Sequence, residues 1–201
     1  MIKVILFDCD GPIIRHTKYF SQRLKDEKGI VTDTKDQSSF FNNEFLLCEK
    51  GHADLKVEMG KRLGTWGWTG TVEELMEYWF AGEAEVDTEM AEYIKELRSR
   101  GIKIYLSTNN EKYRVDYLWN NAGLKNILDG KLPSCELGHL KPELKFWAEA
   151  YKRLSNVSKE EVLVLDDAQS AIDSAKNFGF NAEFYTNFES FSNVIKSKYK
   201  I

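Results

Sequence analysis

Short apolar runs that stop abruptly at polar residues punctuate the chain: IKVILF before Asp8, IKIYL before Ser107, VLVL before Asp166, and the weaker AEFY before Thr186. Runs this short, rich in Ile and Val and bounded by polar residues, predict buried parallel strands. Between them the apolar residues recur at helical spacing. In TEMAEYIKELRSRG, residues 88 to 101, Met90, Ile94 and Leu97 share one face and Gly101 supplies a C-terminal stop. ELKFWAEAYKRL and SAIDSAKNFG repeat the scheme. Strands alternating with helices predict an α/β fold with a doubly wound, Rossmann-like parallel sheet, in which ligands bind outside the carboxyl ends of the strands.

Residues 15 to 86 break that rhythm. About seventy residues separate the first strand from the next with no convincing strand between them, and SQRLKDEKG, SSFFNNEFLLCEKG, ADLKVEMGKRLG and TVEELMEYWFAG each end in glycine. This pattern predicts a helical insertion of up to four helices joined by short turns. The expected organisation is an α/β core from residues 1–14 and 87–201, with 15–86 as an inserted α-helical cap. No repeat or low-complexity segment interrupts it.

Composition narrows the class. The 201 residues, 42% of them apolar, suit one domain of ordinary size carrying a sizeable insertion. With 28 Lys plus Arg against 32 Asp plus Glu the formal charge is −4, so nothing in the balance favours nucleic acid or an anionic membrane. A small-molecule or protein partner is expected, and a monomer or homodimer. The apolar run before Asp8 is too short for a signal sequence, and no stretch approaches the ~20 apolar residues of a spanning helix. The expected location is cytoplasmic. Cys9, Cys48 and Cys135 match no zinc or disulfide spacing, which suits a reducing compartment.

The polar residues at the strand ends are the candidate chemistry. The first strand ends in Asp8 and Asp10, the second in Ser107, Thr108 and Asn109, and the later one in Asp166 and Asp167, while Lys141 sits in GHLKPE between the last two. Four carboxylates would converge. Two like charges ~4 Å apart at an effective dielectric of ~20 repel by about 4 kcal/mol, so several such pairs call for a bound cation. Oxygen-only ligands favour Mg²⁺. A cation, a hydroxyl, an amide and a lysine together suit a phosphoryl oxyanion.

These residues resemble those of the haloacid dehalogenase superfamily of Mg²⁺-dependent phosphohydrolases. DCDGPI looks like its first motif D-x-D-G, Thr108-Asn109 its second, Lys141-Pro142 its third and LDDAQSAIDSAKNFG its fourth, in order over residues 8 to 179. The resemblance implies that Asp8 attacks phosphorus to form an aspartyl-phosphate and that Asp10 protonates the leaving alcohol and then activates water. It also implies Thr108 and Asn109 near the phosphoryl oxygens, Lys141 balancing their charge, and Mg²⁺ held by Asp8, the Asp10 carbonyl and Asp167. Asp166 would be a direct or indirect metal ligand, and residue 9 would offer its backbone N–H to the phosphate. The dehalogenases proper lack the second acid, so Asp10 favours phosphate esters over carbon–halogen bonds. The insertion after the first motif resembles the helical-cap branch containing β-phosphoglucomutase and the epoxide hydrolase phosphatase domain.

The resulting expectation is a phosphatase acting on a small phosphorylated metabolite; a sugar phosphomutase and a catalytically silent partner-binding protein are the alternatives. One departure is Pro12, where the family usually has Thr or Val, which removes a backbone donor and bears on the shape of the hinge. CDGPIIR, Cys9 to Arg15, also satisfies the C-x5-R spacing of cysteine-dependent phosphatases. Such a loop needs free backbone N–H groups and a thiolate, and Pro12 together with two flanking acids opposes both. A signalling receiver domain shares the sheet, the acids and the lysine, but there the adjacent acidic pair follows the first strand. Among the remaining polar residues, Arg15, His16, Lys18 and His52 fall at the cap or its hinge, and Asp173 and Glu143 read as solvated. Trp66 and Trp68 in GTWGWTG, like Trp79, Trp119 and Trp147, read as packing residues.

Overall fold

The computed structural model of the chain describes residues 1–15 and 18–201. His16, one of the hinge candidates, lies outside them. The first strand, β1 (Val4–Phe7), lies at the centre of the main sheet and leads into a ribbon strand β2 (Ile14–Arg15). Five helices follow: α1 (Phe20–Lys28), α2 (Thr34–Asn42), α3 (Glu44–Glu49), α4 (Leu55–Gly60) and α5 (Val72–Gly82). The chain returns through β3 (Glu85–Val86) into α6 (Thr88–Ser99), β4 (Lys103–Thr108), α7 (Lys112–Asn120), β5 (Gly130–Pro133), α8 (Ser134–Leu137) and α9 (Leu144–Lys152). It ends with β6 (Val162–Asp166), α10 (Gln169–Phe178), β7 (Asn181–Phe184) and α11 (Phe188–Val194). The main sheet has the order β5-β4-β1-β6-β7 and every pairing in it is parallel.

The apolar runs form buried strands because both faces of the sheet are covered. Side chains alternate along a strand, so Ile5 and Phe7 pack into one cluster with Met90, Ile94 and Leu97 of α6, while Val4 and Leu6 pack into the other with Phe146 and Trp147 of α9. Leu163 and Leu165 of β6 divide from Val162 and Val164 in the same way. β1 pairs with β4 on one side and β6 on the other, so the chain winds outward in both directions from it. Its carboxyl end is the switch point where this class of sheet opens a crevice.

Three sequence expectations need correction. β5 was not foreseen, because Gly-Lys-Leu-Pro offers one apolar side chain and no alternation; as an edge strand it needs only Leu132 inside. Among its described residues the insertion has five helices rather than up to four, since SSFFNNEFLLCEKG breaks at Asn43, whose backbone leaves the helical region (φ −127, ψ −80) and whose amide donates to the Ser39 carbonyl at 2.8 Å. The insertion is also tied off by strands, since Ile14 pairs with Val86 and Arg15 with Glu85 in an antiparallel ribbon at its two ends.

The inserted helices build their own core, in which Phe20, Phe40, Trp66, Trp79 and Phe80 are buried together. Trp66 also donates to Asp36 at 2.7 Å, Trp147 is buried in the core domain and Trp119 is half-buried against it, so packing accounts for all three. Polar contacts then fasten this layer to the sheet domain: Lys50 to Glu143 at 2.7 Å, and Asp54 to Lys112 at 2.6 Å and the Tyr113 hydroxyl at 2.9 Å. Glu143, expected to be solvated, is therefore half of a latch. Gly51 meets the Cys135 carbonyl so closely that a Cβ there would lie 2.3 Å from its oxygen. Among the described residues no helix is long and apolar enough to cross a membrane.

Candidate active site

Asp8 follows the last residue of β1 and is buried, with its backbone N–H bonded to the Leu165 carbonyl at 2.8 Å. Its Oδ1 accepts from the Cys9 backbone at 2.7 Å and lies 2.7 Å from Lys141 Nζ. Lys141 Nζ also donates to Asp166 Oδ2 at 2.6 Å, while the other oxygen of Asp166 accepts from Ala168 N at 2.9 Å. The lysine backbone in turn donates to Asn109 Oδ1 at 2.9 Å, which ties the loop carrying Lys141 to the end of β4. Residues far apart in sequence thus meet because each stands at the carboxyl end of a neighbouring strand or on the loop beside it.

The electrostatics follow from burial. Desolvation pushes the Asp8 carboxyl up to about 7, with Lys141 pulling it down and Asp166 and Asp10 adding to the rise. Burial opposes charge on Lys141, but Asp8 and Asp166 outweigh it and raise its pKa above the usual lysine range. Asp167 is exposed, and its pKa is raised by partial burial and by Asp166. Asp8, Asp166 and Asp167 offer carboxylate oxygens that all lie within 4.8 Å of one another. Gly11 makes room for the third: its φ is +89, and a Cβ there would lie 2.6 Å from Asp167 Oδ2. With the nearest cation, Lys141, already shared by two of the carboxylates, the donor set has the chemistry of a hard divalent-cation site.

Cys9 has the opposite character. Its side chain is fully buried in the apolar cluster, and desolvation, reinforced by Asp10, raises its thiol well above the normal range. No thiolate is available there, so the C-x5-R spacing is without chemical meaning. Pro12 costs nothing in this turn, because Ile13 and Ile14 both donate to the Cys9 carbonyl, at 3.0 and 2.8 Å, around it.

Two cavities open on these residues. The smaller, about 170 Å³, is lined by Asp8, Asp10, Thr108, Asn109, Lys141 and Asp166, and by the start of α10. That is room for roughly six waters at ~30 Å³ each. α10 begins without a side-chain cap, leaving first-turn N–H groups to face an anion. The larger cavity, about 610 Å³, is lined by Asp10, Gly11, Arg15, Tyr19, Arg114 and Asp167 among others. Asp10 is the residue that the two share.

Asp8, Asp10, Thr108, Asn109, Lys141, Asp166 and Asp167 are therefore placed around these two adjoining cavities, whereas Ser107 is buried and lines neither. Of the hinge candidates, Arg15 lines the larger cavity and bonds Asp87 at 2.5 Å, Lys18 pairs with Asp26 at the surface and His52 is exposed. Three further residues meet at the site. Arg114 on α7 is buried and grips Asp10 through two hydrogen bonds of 2.6 and 2.8 Å, and Asn110 bonds Thr108 Oγ1 at 2.9 Å. From the cap, half-buried Glu49 closes toward the site; burial pushes its carboxyl up to about 7, with Lys141 and Arg114 opposing and Asp10 reinforcing the rise. The second Asn in STNN was a visible signal for Asn110. A lone arginine or glutamate on an amphipathic helix carries none.

A family model described as haloacid dehalogenase-like hydrolase matches residues 2–179, and the chain belongs to that family. Comparison with curated proteins gives no match. Among solved structures, the chain is similar to the HAD family enzyme BT-2542 of Bacteroides thetaiotaomicron, in complex with magnesium and inorganic phosphate, with a TM-score of 0.80, 18% identity, and coverage of 96% of this chain and 99% of that one. A HAD-like family hydrolase from Porphyromonas gingivalis aligns with a TM-score of 0.78 at 23% identity over 100% of this chain and 99% of that one. The L-2-haloacid dehalogenase of Xanthobacter autotrophicus, with chloropropionic acid covalently bound, aligns at 0.67 and 19% identity over 98% and 83%. At these identities the likeness speaks for the fold.

Proposed function

We propose that the chain is a Mg²⁺-dependent phosphatase of a small phosphorylated metabolite, working through an aspartyl-phosphate on Asp8, with residues 15–86 as its cap. The observation that carries this reading is the placement of Asp10 between a small cavity with a lysine, a hydroxyl, an amide and a helix N-terminus, and a larger one in the size range of ligand pockets. A phosphoryl group fits the donors of the first, a leaving alcohol has room in the second, and Asp10 stands where a proton must pass between them.

Asp8, Asp167 and, through its carboxylate or indirectly, Asp166 would hold the metal, together with the Asp10 carbonyl. Bound there, Mg²⁺ supplies positive charge to the transferring phosphoryl oxygens. The chain's own residues do the rest. Asp8 Oδ1 is held by Lys141 and the Cys9 N–H, which fixes the carboxylate for in-line attack. The Thr108 hydroxyl already accepts from Asn110, which leaves its O–H to donate to a phosphoryl oxygen, and Asn109 presents its amide N–H₂ because its carbonyl oxygen is spent on Lys141 N. Asp10 gives a proton to the departing alkoxide and takes one from the water that cleaves the aspartyl-phosphate. The L-2-haloacid dehalogenase relative carries a covalently bound substrate, and attack by a strand-end carboxylate would serve either chemistry; the acid at residue 10 is what favours phosphate esters here.

Phosphate release from an aryl phosphate tests the reading. It should require Mg²⁺, stop with chelator and return when the metal is restored. Turnover that continues unchanged in chelator would overturn it. Purified protein that releases no phosphate from a broad panel of phosphorylated metabolites in the presence of Mg²⁺ would favour the partner-binding alternative.

A further inference from the structure

The fork of Arg114 on Asp10 is the unusual feature of this crevice. Arg114 is 6% exposed, sits on the first turn of α7, and its guanidinium bonds both carboxylate oxygens, Nη2 to Oδ1 at 2.6 Å and Nη1 to Oδ2 at 2.8 Å. Nη1 also donates to Asn110 Oδ1 at 3.0 Å, and the Asn110 amide reaches both Thr108 Oγ1 at 2.9 Å and Asp10 Oδ2 at 3.4 Å. Nη2 donates to the carbonyl of Glu83, at the end of the last cap helix, at 3.3 Å. Among the described residues the Nε group is buried without a partner. An arrangement that leaves one buried N–H unsatisfied sacrifices stability, and a buried ion pair is a poor way to gain it back. What a bidentate arginine does supply is direction: it fixes the plane of a carboxylate, which a lysine does not.

We propose that Arg114 is the positioning residue for Asp10, holding its carboxylate in the doorway between the two cavities and anchoring it to the motif-two residues and to the end of the cap. The proposal rests on the phosphatase reading for its kinetic consequences and on the structure alone for the placement of Asp10. Without the fork, the Asp10 carboxylate loses the two bonds that fix its plane and meets the leaving oxygen less often. The defect must then look like partial loss of Asp10 and nothing else.

Three measurements on Arg114→Gln and Arg114→Lys decide it. With an alkyl phosphate, kcat should fall roughly 10- to 100-fold while KM changes little. With an aryl phosphate the burst of phenolate should persist and the following steady state should slow, because the second step still needs Asp10. In an Asp10→Asn background, Arg114→Gln should subtract nothing further. The lysine variant keeps a buried cation and guards against a folding defect, and it should remain impaired because it lacks the fork. A crystal structure of either variant should show the Asp10 carboxylate rotated away from the doorway. Equal losses on both esters, an additional loss in the Asp10→Asn background, full rescue by lysine, or an unmoved Asp10 would each overturn the proposal. Should the wild type release no phosphate from either ester, the phosphatase reading falls, and the orientation of Asp10 in the variant crystal still decides the positioning role.

Discussion

The sheet domain and the cap solve different problems with different materials. At and beside the strand ends, charged and polar groups are drawn in and buried: Asp8, Thr108, Lys141, Asp166 and Arg114 are all less than a tenth exposed. In the cap the interior is largely aromatic, with Glu83 buried against Phe20 and Trp79 as the exception, and Lys50, Asp54 and Glu77 reach across to the sheet domain from the rim. The first arrangement is expensive unless every charge has its counterpart, so it is held to a few short sequence positions that a strand end can fix. The second tolerates exchange, because its rim contacts are solvated and its core requires volume rather than particular atoms. Chemistry should therefore be brittle at the strand ends and graded across the cap.

The sharpest break of that contrast is Asp8→Asn beside Cys9→Ala. On the proposed mechanism, loss of the Asp8 carboxylate should lower phosphate release by roughly 10⁴-fold or more, whereas loss of the neighbouring sulfur, buried in an apolar cluster, should leave turnover within a few-fold. Single-turnover measurements on an aryl phosphate would read both. The reverse order would return the argument to the thiol.

The same contrast explains what the sequence disclosed. Strand-end residues were legible because an apolar run announces its own end, and the order of four such ends is a constraint no single aspartate provides. Lys141 was legible only through that order. Arg114 and Glu49 were not, since each reaches the site from a helix whose periodicity says which face is buried but not what a polar side chain on that face will meet. β5 was missed because a four-residue edge strand with a single aliphatic side chain leaves no pattern, and the break at Asn43 because one local side-chain bond, to the Ser39 carbonyl a turn earlier, interrupts a sequence that reads as continuous helix.

A second prediction probes the cap–core seam at Gly51. An alanine there would place Cβ 2.3 Å from the Cys135 carbonyl oxygen and would also sit at φ +70. Gly29, at φ +68 with nothing within 4 Å, supplies the control, because alanine there carries the same backbone strain of about 1–2 kcal/mol and no clash. Gly29→Ala should lower the melting temperature and leave kcat/KM alone. Gly51→Ala should lower the melting temperature and also lower kcat/KM, roughly 10- to 100-fold, as the cap is pushed off its seat. Equal activity in the two variants would mean that the seam at Gly51 does not set closure.

A third prediction uses pH. Glu111 is 1% exposed at the start of α7, accepts from the backbones of Tyr113 and Arg114 at 2.8 and 2.5 Å, and is pushed by burial up to about 7. Its pKa is higher folded than unfolded, so the folded state favours the proton. The stability this group contributes is complete below about 4.5 and is lost as the pH rises through about 7. The full excursion is on the order of 3 kcal/mol. Glu111→Gln keeps an oxygen for the two N–H groups and removes the proton, so the variant should gain stability over wild type between pH 5 and pH 8 in urea unfolding. A difference that is flat across that range would place the carboxyl in ordinary solvent.

The smallest effect belongs to the latch at Asp54. One of its oxygens caps α4 by accepting from Lys56 N at 2.9 Å, and the other receives Lys112 Nζ at 2.6 Å and the Tyr113 hydroxyl at 2.9 Å. Replacing Asp54 would confuse the cap of a helix with the latch between domains, so the informative variants are Lys112→Ala and Tyr113→Phe, which leave the helix cap intact. Lys112 is 58% exposed, and an ion pair so wetted adds little to the folded state. The melting temperature should move by less than about 3 °C. Closure is a finer balance than folding, because it is held by a handful of such contacts around the Gly51 seam, and loss of one should lower kcat/KM a few-fold. The double variant should lose little more than Lys112→Ala alone, since both groups act on one carboxylate oxygen. High salt should erase the difference between wild type and Lys112→Ala, because screening weakens the exposed pair in the one and has nothing to weaken in the other. A Lys112→Ala defect that persists undiminished at 1 M salt would assign the loss to packing over the Tyr113 ring, which Lys112 Nζ overlies at 4.7 Å.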